Sequence, residues 1–510
     1  MINRRRLFTT TAAGAAGVGA LATAGQPARP AAARERLTAE PFTLGVASGD
    51  ATPTAVVLWT RLAPLPLQPE ADFGMAGFGA VDVEYRVAES EAALADPASC
   101  LRVGTTPAKR NTGFSVHLDV TELAPDSEYW YQFGVDGFRS RVGRTRTAPA
   151  PGTRRDFTFA LVNCQSLAGG NLSGGRPNPM YFNGYGHLAR RDDIDFVVHL
   201  GDYIYEFGRA AHVPPRPVQT LDEYRTRYAQ YKLRSSLADV HARFGWYAIP
   251  DDHEFWNDFR GGALPQRNVE RFNHAAEAYW EHMPFRNPRP GDLEATTPNQ
   301  IDLHRTIRWG SLLDLFLGDT RQYRSATTML GTAQQAQLID WIGDSDATWT
   351  AIGVGQPVTG FGGASGWVAA DHAELTAALA ARKQRAPEAF NPVILSGDAH
   401  CGIVTHTRLH GDKQSPFVAT EFVNAPMSSG GRGQWRPAMD PRALRKAYNK
   451  GAAGGWQNYN GYTSHSLSAD GWLTDYVLGD QVSRPDGAVT SAGRWLLPAG
   501  HPVGSVQARG

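Results

Sequence analysis

Five apolar runs between Phe157 and His400 each stop at a side chain that binds metal or moves a proton, and this repetition constrains the chain more than any other feature. "FTFALVNCQ" stops at Asn163 and Cys164, and "FVVHLGDYIY" stops at Asp202, with Tyr205 three residues on. "YAIPDDHEFWND" ends in Asp251, Asp252, His253 and Glu254. "LLDLFLGDTRQYR" supplies Asp319, Arg321 and Arg324, and "PVILSGDAHCG" supplies Asp398 and His400. Runs that are apolar throughout, rather than alternating, are strands covered on both faces. In open α/β sheets ligands gather just past the carboxyl ends of the strands, so these residues are expected to converge. One Gly-Asp after a strand is usually only a turn; the coincidence of five strand ends carries the inference.

Helical segments alternate with these strands. "LDEYRTRYAQYKLRSSLADVHARF", "NVERFNHAAEAYWEHM" and "TAQQAQLIDWIGD" are the clearest, the last opening with Thr332 and Gln335 at capping-box spacing. Such alternation predicts an α/β/β/α sandwich over residues 155–510, with Tyr224, Tyr228 and Tyr231 as packing residues. Residues 41–149 follow another pattern. "TAVVLWTRL", "VDVEYRVAE", "FSVHLDV" and "EYWYQFGVDG" are short strands between Pro, Asp and Gly turns, with "SEAALAD" making a helical turn or two. That predicts an N-terminal all-β sandwich of the fibronectin type III sort, joined by the linker "TAPAPGTRRD". At 510 residues and 42% hydrophobic, the chain has the length and the apolar material for two cores.

Fifty basic and fifty acidic side chains cancel, which argues against nucleic acid as a specific partner. Residues 1–33 predict a twin-arginine export signal: Arg5 and Arg6 precede Leu7 and Phe8, then a weakly apolar Ala/Gly/Val run and small-residue sites at Ala22/Ala24 and Ala31/Ala33. The implied partner is the twin-arginine translocase and the implied location periplasmic or extracellular; no later apolar stretch is long enough to span a bilayer. Cys100, Cys164 and Cys401 are too few and odd in number for a disulfide framework, so at least one thiol needs its own explanation. Cys401, next to His400 but on the alternate side of the chain, is expected to pack.

The donor chemistry divides in two. Asp202, Asp252 and Asp398 are hard oxygen donors suited to Ca²⁺, Mg²⁺ or Mn²⁺. Cys164, Tyr205 and His400 offer thiolate, phenolate and imidazole, a set that favours a trivalent transition metal, Fe³⁺ above all, with Asp202 bridging the two sites. A two-metal centre makes hydroxide from bound water and clamps phosphoryl oxygens, which suits phosphate-ester hydrolysis. His253 is then the candidate to protonate the leaving alkoxide, and Arg321 or Arg324 to hold phosphate oxygens.

The motifs "NCQ", "LGDYIYE", "DDHEFWND", "GDTRQYR" and "SGDAH", in this order, resemble those of the PhoD-type alkaline phosphatases, a branch of the calcineurin-like metallophosphoesterases related to purple acid phosphatases. "FTLGVASGDATPTAVVLWTRLAP", "GRTRTAP" and "NGYTSHSLSADGWLTDY" extend the resemblance over nearly the whole chain after the leader. It implies an exported phosphomonoesterase and phosphodiesterase, with Cys164, Asp202, Tyr205 and His400 at Fe³⁺ and Asp202, Asp252, Asp398 and Asn163 at Ca²⁺. Relatives that act as Ca²⁺-dependent phospholipase D are the alternative. Asp251 and Asp252 stand where the superfamily has a Gly-Asn pair, which leaves open which carboxylate binds metal.

Overall fold

The apolar runs become strands because both of their faces are covered. In the computed structural model, residues 35–509 are described apart from 170–177, 209–210, 292, 294, 360–365, 412–413, 431–453, 458 and 480–481. Sheet one runs in the order β22 (Gln507–Arg509), β21 (Thr490–Pro498), β20 (Gly471–Gly479), β19 (Asn460–Leu467), β9 (Phe157–Val162), β10 (Phe196–Leu200), β11 (Gly245–Ile249), β1 (Val46–Gly49), β2 (Val56–Arg61) and β5 (Ser115–Val120). Sheet two runs β12 (Arg305–Trp309), β13 (Leu313–Gly318), β14 (Trp349–Val354), β15 (Pro392–Ser396), β17 (Phe417–Val423), β16 (Cys401–Arg408) and β18 (Gly454–Gln457).

Period-two side chains assemble the layers. Phe159, Leu161, Val198 and Leu200 of sheet one pack on Leu315, Leu317, Ala351 and Leu395 of sheet two. On the other face of sheet one, Ala160, Val162, Val197 and Trp246 take the helices α1 (Asn183–Leu188), α2 (Leu221–Lys232), α3 (Ser235–Arg243) and α4 (Val269–His282), with Tyr224, Tyr228 and Tyr231 in the same core. On the far side of sheet two, Phe316, Ile352 and Ile394 take α5 (Gly331–Asp344) and α6 (Ala369–Arg385). The result is the α/β/β/α sandwich. Strands β9, β10 and β11 are mutually parallel, as are β13, β14, β15 and β17, so within each set the carboxyl ends lie on one edge.

The N-terminal region is also a sandwich. Val46, Leu58 and Val116 of β1, β2 and β5 face Val83, Tyr131 and Phe133 of a third sheet built from β4 (Arg102–Lys109), β3 (Ala80–Ala88), β6 (Glu128–Val135), β7 (Phe138–Arg139) and β8 (Gly143–Arg146). One of its layers is continuous with sheet one. β1 pairs in parallel with β11, Ser48 opposite Gly245 and Gly49 opposite Trp246, so the linker separates the chain without separating the sheet.

One local expectation changes. α5 starts at Gly331 without a side-chain cap from Thr332. The approach to the helix is held from α6 instead, where the Asp371 carboxylate accepts from Met329 N (2.6 Å) and Leu330 N (3.0 Å), while Gly331 N donates to Thr328 Oγ1 at 2.9 Å. The capping box that does form is Thr220 with Glu223, at the start of α2. "SEAALAD" makes a single turn, Ala92–Ala95, and Cys401 packs with Ile403 and Val423 as expected. The export segment lies outside the described residues, and no helix among those residues is long and apolar enough to cross a membrane.

The shared sheet makes a prediction. A Cβ on Gly49 would sit 2.7 Å from Pro284 Cγ, Pro284 O and Trp246 O. Gly49→Val is therefore expected to cost about 1–3 kcal/mol, read as a lower urea midpoint in one transition for both regions; two separate transitions would contradict the shared sheet.

Candidate metal centre

Each functional turn follows directly from the strand that precedes it: Cys164 after β9, Asp202 after β10, Asp252 and His253 after β11, Asp398 after β15. Four residues in three of these turns are pinned in a left-handed backbone conformation, with φ of 51° at Cys164, 59° at Asp202, 55° at Asp398 and 50° at His400. Aspartate tolerates this region; cysteine and histidine enter it at a cost of about 1–2 kcal/mol each. Gly201 is also left-handed, and a Cβ there would meet Asp251 N at 2.3 Å, so the second turn runs against the third with no room for a side chain.

Hydrogen bonds lock the turns together. Cys164 N donates to Gly201 O at 3.1 Å and Gln165 N to Asp202 O at 3.0 Å. The buried Glu254 carboxylate accepts from Asp202 N at 3.0 Å, Asp251 N at 2.8 Å and Tyr203 N. Burial raises Glu254 to about 7 against the pull of these N–H groups.

Three sets of ligand atoms result, each within 4.8 Å: Cys164, Asp202 and His400; Asp202, Asp252 and His253; Asp251, Asp252 and Asp398. The Tyr205 hydroxyl joins the first set, 3.1 Å from Asp202 Oδ2 and 3.0 Å from His400 Nε2. Tyr231 accepts a bond from Tyr205 N at 3.1 Å, Ser429 donates to the Tyr205 hydroxyl at 2.5 Å, and His400 Nδ1 lies 3.1 Å from Gly430 O. His253 lies under Tyr205, ring centroids 4.2 Å apart, and its Nδ1 is 2.6 Å from Glu206 Oε2.

Three placements depart from the sequence expectation. Asn163 does not turn an oxygen to the cluster: its Oδ1 accepts from Asn424 Nδ2 at 2.5 Å, and its Nδ2 faces Cys164 Sγ at 2.9 Å. Asn424 Nδ2 is itself fixed by Leu161 O at 3.1 Å, which sets the amide orientation. Arg321 is committed to protein rather than left open for phosphate: it grips Asp251 with Nε at 2.5 Å and Nη2 at 2.9 Å, and Nη2 also lies 3.4 Å from Asp252 Oδ1 and 3.6 Å from Asp398 Oδ1. Asp319, expected among the converging strand ends, is in none of the three ligand sets; it accepts from Arg321 N and Gln322 N and closes its own turn. Arg324 donates to Gln356 Oε1 and, through Nη2, to Gly366 O at 3.3 Å, and its buried Nε has no partner among the described residues.

The donor set suits cations. Burial pushes the Cys164 thiol well up, and the charges of Asp202, Asp398 and Asp251 push the same way. Burial, then Asp202 and Cys164, does this to the Tyr205 phenol. Burial would raise Asp252 as well, but Arg321 and His253 bring it down to about 2. Asp252 Oδ1, fully buried, has no hydrogen-bond partner among the described residues, while both Asp251 oxygens are taken by Arg321. Of the two adjacent carboxylates, Asp252 is the one with a free ligand atom. Sequence reasoning passed over Glu206 and Gln356. Glu206 stood one residue after Tyr205, an acid inside an aromatic run, and that was its only signal.

Residues 159–476 match the family described as PhoD-like phosphatase, and residues 27–149 match its N-terminal domain. Alkaline phosphatase D of Bacillus subtilis (strain 168) is 31% identical over 500 residues, covering 88% of this chain and 80% of that protein. A solved structure of PhoD superposes with a TM-score of 0.80 at 29% identity, over 94% of each chain. Purple acid phosphatase PPD1 from yellow lupin (Lupinus luteus) seeds shares the fold, with a TM-score of 0.56 at 13% identity over 88% of this chain and 73% of that one.

The two aspartates should separate experimentally. Asp251→Asn strips a buried guanidinium of its bidentate partner and is expected to destabilise the metal-free protein by about 3–5 kcal/mol. Asp252→Asn should leave stability closer to wild type and remove calcium binding in a calorimetric titration. Calcium binding lost with Asp251→Asn alone would reverse the assignment.

Proposed function

This chain belongs to the PhoD-like phosphatase family, and on that premise we propose that it is an exported phosphoric ester hydrolase working on phosphomonoesters and phosphodiesters from a dinuclear Fe³⁺/Ca²⁺ centre. Cys164, Asp202, Tyr205 and His400 would hold Fe³⁺; Asp202, Asp252 and Asp398 would hold Ca²⁺, with Mn²⁺ or Mg²⁺ as substitutes. When bound, such a pair supplies Lewis-acid charge for the phosphoryl oxygens and acidifies water. The observation that carries the reading is the meeting of a thiol, a phenol, an imidazole and several carboxylates from strand ends far apart in the chain, one buried carboxylate oxygen having no hydrogen-bond partner among the described residues.

The chain's own residues supply the rest. Glu206 fixes His253 through Nδ1 and so leaves Nε2 to carry the proton that a departing alkoxide needs. Burial opposes the imidazolium, yet Asp252, Asp202 and Glu206 raise its pKa well above the usual histidine value, which favours the acid form. Arg321 holds Asp251 and steadies Asp252 and Asp398. Arg324 is the arginine with a free nitrogen, and it orients a phosphoryl oxygen. Export by the twin-arginine route, which carries folded proteins, fits a centre assembled in the cytoplasm; the leader's Arg5 and Arg6 support it.

Cys164→Ala or Asp202→Ala should abolish hydrolysis of p-nitrophenyl phosphate and bis-p-nitrophenyl phosphate, and Tyr205→Phe should remove the phenolate-to-iron visible band. Retained activity in the first two variants overturns the site. Choline release from phosphatidylcholine in excess of monoester turnover would move the reading to phospholipase D. His253→Gln is expected to lower kcat about 10²–10⁴-fold on alkyl phosphates, and less on p-nitrophenyl esters, whose leaving group needs no proton. An equal loss on both would deny it the acid role.

A further inference from the structure

Glu421 is fully buried on β17, away from the donors described above, and its carboxylate has an unusual set of partners. Oε1 accepts from Val358 N at 2.8 Å and Ser396 Oγ at 2.8 Å; Oε2 accepts from Thr359 N at 2.8 Å and Thr407 Oγ1 at 3.3 Å. A carboxylate offers about four lone-pair sites, and here four donors fill them. Two of the donors are backbone N–H groups of the segment after β14, and one is the last residue of β15. These are the strand ends that lead to Gln356 and Asp398. They are also joined directly, Gly397 N donating to Gly355 O at 3.1 Å.

Gln356 is buried and reaches both ways from that segment. Its Nε2 donates to Asp398 Oδ2 at 3.3 Å and its Oε1 accepts from Arg324. Glu421 thus fixes two backbone segments, and those segments fix a carboxylate on one side and a guanidinium on the other.

We infer that Glu421 is a positioning residue that sets Asp398 and, through Gln356, Arg324, so that the divalent-ion donor and the phosphoryl-orienting arginine keep one fixed separation. This rests on the reading of Asp398 and Arg324 given above. The charge at 421 is required by the donor count. A glutamine of the same shape has one oxygen for two donors, and its NH₂ would face the N–H of Val358 or Thr359.

The test compares wild type with Glu421→Gln, Gln356→Ala and the double variant, all loaded with iron, by calorimetric Ca²⁺ titration and by kcat and KM on p-nitrophenyl phosphate. Glu421→Gln should weaken Ca²⁺ binding and lower kcat/KM by about 10–100-fold, the range for residues that orient metal ligands. The double variant should be no worse than the poorer single one, because both act on one chain of contacts. Should Glu421→Gln fail to fold, Ser396→Ala removes one donor and is expected to give a smaller loss of Ca²⁺ affinity. A variant with a lower melting temperature but wild-type Ca²⁺ affinity and kinetics overturns the positioning role, as do additive losses in the double variant. A wild type that hydrolyses no ester, but whose Ca²⁺ affinity still falls on Glu421→Gln, would overturn the functional reading and leave the positioning role standing.

Discussion

Buried negative charge in a small volume is the constraint under which the rest of this fold operates. Asp202, Asp251, Asp252 and Asp398 share the site with the Cys164 thiol and the Tyr205 phenol, in sets whose ligand atoms lie within 4.8 Å. Two like charges 4 Å apart repel by about 4 kcal/mol at the effective dielectric of a protein, and burial works against the ionised form of each. One arginine cannot neutralise this set. Arg321 cancels Asp251 and partly screens Asp252 and Asp398, and what remains is a demand for added positive charge in a particular place. Cations held there, as proposed above, would complete the fold of this region as much as equip it for chemistry.

Holding mutually repelling groups together takes rigidity, and the turns provide it. Left-handed backbone at Cys164, Asp202, Asp398 and His400 is unfavourable in isolation, yet each of those residues leaves or follows a strand buried on both faces, which cannot shift to relieve it. Glu254 ties the second and third turns through three backbone N–H groups, and Gly201 lets them touch. The same device recurs on sheet two, where Glu421 ties the ends of β14 and β15. In both places a buried acid with no role as a ligand grips backbone, and side chains of the reacting site are positioned as a consequence.

What the sequence disclosed follows from this division. Strand ends were legible because a continuous apolar run followed by Asp, Cys or His is a local pattern, and parallel sheets put such ends on one edge. The α/β/β/α layering was legible from strand–helix alternation for the same reason. Residues that act by bonding to backbone leave no such pattern. Glu206 lies beside a quoted strand end and Gln356 just past β14, which no quoted pattern singled out, and their partners, His253, Asp398 and Arg324, are dozens of residues away. Asn163 looked like an oxygen donor because its type permits it; only Asn424, bonded to Leu161 O, determines that the nitrogen faces the sulfur. Ahead of α5 the backbone is held by Asp371 on another helix, which no spacing rule within "TAQQAQLIDWIGD" contains.

The pairing of β1 with β11 was equally invisible, joining residues about two hundred apart through a short parallel register, and it explains why a region without ligands belongs to the site. β11 carries Asp251, Asp252 and His253 on its carboxyl end. Without β1 it would be the edge of its parallel set, with unpaired backbone groups along one side. With β1, β2 and β5 continuing the sheet, β11 becomes an interior strand. Asp50, one residue beyond β1, then bonds Arg305 of β12 with distances of 2.8 and 3.0 Å, tying the added strands to sheet two as well. The N-terminal layer fixes the third turn from outside, much as Glu254 fixes it from within, and so the position of Asp252 depends on residues that never approach it.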